Sequence, residues 1–68
     1  MTVLKRPLNP EAVLKTDQFI IAKREGADWR AVESWQAKFI AAHYMKELKQ
    51  HEPDAVFKVF ATDQITLA

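Results

Sequence analysis

The stretch QFIIAKREGADWRAVE, residues 18–33, decides the fold. Its first half is rich in β-formers and reads as a strand over residues 18–25. Gly26, the chain's single glycine, sits in EGAD, which reads as a four-residue hairpin loop. The returning strand then covers residues 28–33, with Trp29 and Ala31 alternating against Arg30 and Val32. A hairpin of this kind nucleates an antiparallel sheet.

Downstream lies SWQAKFIAAHYMKELKQ, residues 34–50, with the periodicity of a helix. Ser34 suits its N-cap, and Pro53 stops it because a residue before proline avoids the helical region. Lys49 and His51 fall in the last turn, where positive charge is favoured. One side carries Ala37, Ile40, Ala41, Tyr44, Met45 and Leu48, the spacing of a core stripe. The other side carries Trp35, Phe39, Ala42 and Lys46, with His43 beside them. Trp35 and Phe39 are four residues apart, so on one helix their rings would touch. DAVFKVFATD, residues 54–63, reads as a third strand.

Upstream, LNPEAV at 8–13 reads as a short helix start. Asn9 is a suitable cap, Pro10 a suitable first residue, and Glu11 sits at the positive end of the dipole. Leu8 and Val13 are spaced for a hydrophobic staple. The expectation is one α+β domain over 1–68. An arm with a short helix (1–15) precedes a ββαβ core (18–63), and 64–68 forms a tail. Pairing the third strand with the first makes every pair antiparallel, in order 2-1-3, with FIIA in the middle and the helix on one face. ITL near the C-terminus is expected to extend the sheet or trail along its edge.

Both faces of that sheet are apolar. Phe19 and Ile21 oppose Ile20 and Ala22, while Phe57 and Val59 oppose Val56 and Phe60. A strand apolar on both faces is usually buried on both, and one helix covers only one. The second face needs residues 1–14, the C-terminal residues or another chain, and a homodimer packed sheet on sheet would supply it. Size argues the same way. A chain of 68 residues buries only about 60% of the surface its unfolded form exposes. One small core typically supplies only about 3–5 kcal/mol. There is no cysteine, which removes disulfides and thiolate metal sites as staples.

Charge is balanced, with 10 Lys+Arg against 9 Asp+Glu and a net charge of +1. Dedicated nucleic-acid binders show a pronounced basic excess instead. No apolar run reaches the roughly 18 residues of a membrane span. MTVLKRPLN has no apolar signal stretch, so the expected location is cytoplasmic. His43 and His51 are eight residues apart on the predicted helix, roughly 12 Å along its axis. They cannot share a metal alone, and His43 with Glu47 makes too few ligands for a structural zinc. No nucleophile–base pair and no phosphate loop is present. The expectation is therefore no enzyme, no cofactor, no metal and no small-molecule substrate.

What remains is binding. The expected protein interface joins Trp35, Phe39, His43 and Lys46 on the helix with Val56 and Phe60 on the open sheet face. The partner is a second copy or a larger protein. The alternative is weak single-stranded nucleic-acid binding through Lys23, Arg24, Trp29 and Arg30, since sheets that bind single strands combine cations with stacking rings. In order of elements and in size, the chain is similar to the small phage-encoded inhibitors of bacterial RNA polymerase of the T7 type. That resemblance implies a domain that acts by binding a larger enzyme.

Overall fold

The computed structural model describes residues 2–13 and 18–68. Five strands and one helix follow each other as β1 (Thr2–Leu4), β2 (Phe19–Glu25), β3 (Asp28–Trp35), α1 (Lys38–His51), β4 (Phe57–Ala61) and β5 (Ile65–Leu67). β2, β3 and β4 form an antiparallel sheet in the order β3-β2-β4, with the FIIA strand in the centre. β1 and β5 form a separate parallel pair. The three-strand description 2-1-3 therefore gives way, among the described residues, to five strands, and the expected 64–68 tail holds the last of them, Ile65–Leu67, after a 3-10 turn at Thr62–Gln64.

The hairpin is tighter than the sequence suggests. Only Gly26 and Ala27 separate β2 from β3, and Gly26 has φ 62. That is the first central position of a two-residue turn, which type II′ hairpins reserve for glycine. The pairing runs Ile21↔Glu33 but Ala22↔Ala31, so Val32 is an extra residue in a β-bulge. Beyond the bulge β3 continues through Ser34, opposite Ile20, to Trp35, opposite Phe19.

This corrects the start of the helix. Ser34 is not its cap. It is buried at 7% exposure inside β3, and its hydroxyl donates to the Ala12 carbonyl at 3.4 Å. α1 begins at Lys38, after Ala37, which offers no side-chain cap. Sheet pairing on Phe19 and Ile20 outweighs the local capping preference of serine. The helix ends as expected, with Glu52 in a non-helical conformation before Pro53 and its N–H bonded to the Leu48 carbonyl.

The short N-terminal helix is a single 3-10 turn, Pro10–Ala12, capped by the Asn9 side chain, which accepts from the Glu11 N–H at 3.1 Å. The staple does not form, because Leu8 is 86% exposed. Leu14 lies outside the described residues.

One face of the sheet receives α1, whose Ala41 is fully buried. Ala41 is small and allows close approach, while Ala37, expected on the same stripe, lies in extended backbone before the helix. The other face receives the chain's own ends. Leu4 of β1 is fully buried in a cluster with Ile20, Ala22 and Ala31, and Val13, Phe60, Ile65 and Leu67 pack against it. The ends also reach the rim of the sheet. The Lys5 N–H donates to the Trp29 carbonyl at 2.7 Å, and its carbonyl accepts from the Ala31 N–H at 3.0 Å. The second apolar face is thus covered within one chain. Among the described residues, no helix is long and apolar enough to cross a membrane.

Candidate interaction surface

Trp35 and Phe39 part company. Trp35 ends β3, and its ring stacks on Tyr44 of α1, centroids 4.2 Å apart and planes within 6°. The ring that was expected on the outer helix face is covered by the inner one. A pair of this kind contributes roughly 0.5–1.5 kcal/mol beyond its buried area.

Phe39 stands in the first turn of α1 at 77% exposure. Ala42, His43 and Lys46 are exposed beside it. These four fall at i, i+3, i+4 and i+7, so they form one stripe on the outer side. His43 lies 3.6 Å from Glu47 and meets the Tyr44 ring edge-on. Ile40, the residue after Phe39, turns the other way. With Ala12 and Trp35, and with the polar Glu11, Glu33, Ser34 and Gln36, it lines a groove of about 530 Å³ that does not include Phe39.

The two sheet residues of the expected interface separate. Phe60 is half-buried and packs edge-on against Trp29 at 5.7 Å, within the cluster that the ends cover. It is not on an open face. Val56 precedes β4 and is 52% exposed, with its carbonyl accepting from the Arg24 N–H.

The basic set divides as well. Lys23 pairs with Glu52 at the end of α1 at 2.6 Å. Arg30 pairs with Glu25 at 2.5 Å and donates to the Arg6 carbonyl at 2.7 Å. Lys5 adds a further contact to Glu25 at 3.5 Å. The hydrogen bond from Arg30 is the main reason the Glu25 carboxyl is held below the usual carboxylate range. Partial burial opposes this, and the charges of Arg30 and Lys5 reinforce it. Both cations are thus engaged in closing the fold. Arg24 instead lies over the Trp29 ring at 5.9 Å, and Lys58 lies over the Phe60 ring at 5.1 Å. Since Trp29 and Phe60 touch, Arg24, Trp29, Phe60 and Lys58 form an alternating row across the sheet. Lys58 and Phe60 were not in the basic set read from sequence. Their i, i+2 spacing on a strand was the available signal.

Among the described residues, no three His, Cys, Asp or Glu side chains come together as metal ligands would. Compared with known proteins, the chain matches no family model, no curated protein and no solved structure.

Proposed function

We propose that the protein is a small non-enzymatic protein-binding module that acts on a larger protein partner or on itself. The contact surface for a larger partner is the outer stripe of α1, with Phe39 as anchor and His43 and Lys46 as polar rim. The observation that carries this reading is the 77% exposed Phe39 ring on a stripe with exposed Ala42, His43 and Lys46. Large apolar side chains left in water mark interfaces, and aromatic anchors dominate binding energy. An accessory or inhibitory role on a larger enzyme, of the kind implied by the similar element order of the phage inhibitors, fits this surface.

The test is a matched capture from lysate with wild type and Phe39→Lys as baits. A partner held by wild type and lost by the variant supports the reading. Identical captures, or none from wild type, contradict it. A second reading, weak binding of single-stranded nucleic acid, is supported by Arg24 and Lys58, the two exposed cations of the Arg24–Trp29–Phe60–Lys58 row. Its mark is an affinity that falls steeply with salt and disappears in Arg24→Ala.

A further inference from the structure

The two edges of the β3-β2-β4 sheet are treated differently by the chain. At β3 the outward backbone groups of Trp29 and Ala31 are taken up by Lys5. At β4, among the described residues, no strand lies on the outer side. The bonds from the Arg24 N–H to the Val56 carbonyl and from the Thr62 N–H to the Gln18 carbonyl fix which residues of β4 face β2. Antiparallel pairs alternate, so Lys58 and Phe60 bond to β2, while Phe57, Val59 and Ala61 direct N–H and C=O outward. The strand is also apolar and incompletely covered. None of its residues is fully buried, whereas Ile20, Ile21 and Ala22 of the neighbouring strand all are.

We propose that β4 is a self-association edge, and that its occupant is β4 of a second copy of this chain. The inference rests on the self-binding half of the functional reading and gives it a place separate from Phe39. The strand is self-complementary. A twofold axis at Val59, the middle of Phe57–Ala61, makes Val59 a bonded pair with itself and sets Phe57 against Ala61 of the second copy. All three outward residues are then satisfied on both sides. The same register sets Lys58 against Phe60 of the second copy, so the one charge of the strand meets a ring and not its own image. Within the chain Lys58 already lies over the Phe60 ring of its own strand at 5.1 Å, and the same cation–ring contact is available to it across the pair. Just outside the strand, Val56 falls opposite Thr62 and Ala55 opposite Asp63, again without like charges. The product is a continuous six-stranded sheet with an isologous contact, the strand-addition mode that gives affinity through main-chain bonds.

Two measurements on the full chain test this. Sedimentation over a dilution series should show a monomer–dimer equilibrium. Amide exchange across the same series should slow at Phe57, Val59 and Ala61 by about tenfold when nine-tenths of the chain is dimeric. Amides of Lys58 and Phe60, already bonded within the monomer, should respond far less. Val59→Pro removes an outward N–H without touching the bonds to β2, and should remain monomeric. If that variant does not fold, the wild-type exchange pattern decides alone. A wild-type monomer up to millimolar concentration overturns the proposal, and so does a dimer in which those three amides exchange at the monomer rate. Phe39→Lys should still dimerise, so loss of partner capture and loss of dimerisation are separate failures.

Discussion

The two faces of the β3-β2-β4 sheet are closed in opposite ways. α1 covers one face as a single element that directly follows the hairpin it packs on. β1 and β5, three residues each and from opposite ends of the chain, cover the other. The helix face is built from local contacts. The end face depends on strands more than sixty residues apart, locked by the Ala68 N–H to the Leu4 carbonyl at 2.8 Å and by Arg6 to the Ala68 carbonyl. Yet the fully buried cluster of Leu4, Ile20, Ala22 and Ala31 lies on the end face. On α1 only Ala41 is fully buried. Ile21 and Ala41 are fully buried on the helix face as well, so both faces are closed, one by a single local element and the other by the two ends together.

The sharpest way to break this comparison is at Leu4. Leu4→Ala should cost about 2–5 kcal/mol, and a domain of this size typically holds only about 3–10 kcal/mol. Chemical denaturation should show the midpoint falling by a large fraction of its wild-type value. On the helix face, Leu48→Ala should cost less, about 1–2 kcal/mol, because Leu48 is only half-buried. If Leu48→Ala proves more damaging than Leu4→Ala, the ranking of the two faces is reversed.

A third substitution probes the clamp that holds the N-terminal segment to the hairpin. The folded-state pKa of Glu25 is depressed, chiefly by the Arg30 hydrogen bond. The stability it contributes is therefore present above the ordinary carboxylate range and is lost as pH falls through the folded value. Glu25→Gln should melt below wild type at neutral pH, and thermal melts of the two should converge as the solution is acidified. A gap that stays constant would show that Glu25 acts by shape and not by charge. The smallest effect is expected at Phe39. Being on neither face, Phe39→Lys should alter stability by no more than about 0.5 kcal/mol. It should also weaken partner binding by roughly 30- to 1000-fold, the range for a loss of about 2–4 kcal/mol.

The helix face was legible in the sequence because its signals are local. Alternation in QFIIAKRE, Gly26, the 3.6-residue stripe through Ile40, Tyr44 and Leu48, and Pro53 each mark an element without reference to anything distant. The end face was legible only in part: its apolar residues called for a cover, and residues 1–14 and the C-terminal residues were among the candidates, but their pairing was not. TVL and ITL carry ordinary β-propensity, and only the Thr2↔Ile65 to Leu4↔Leu67 register makes them strands. Ser34 misled for a related reason. Ahead of a helical pattern it has the look of a cap, but the Val32 bulge extends β3 through it. Trp35 followed Ser34 into the strand, which moved its ring from the outer surface onto Tyr44. The candidate site shrank accordingly to the outer helix stripe, and Phe39 kept its place because its exposure depends on helix phase alone.

The end face is closed within one molecule. Nuclear Overhauser contacts settle it when recorded at a dilution where sedimentation gives the 7.8 kDa chain mass. Contacts from the Leu4 methyls to the methyls of Ile20, Ala22 or Ala31, and from β1 to β5 across Leu4 and Leu67, are all expected in the monomer. Absence of these contacts in the monomer, or their appearance only between differently labelled chains in a dimer, would contradict that closure.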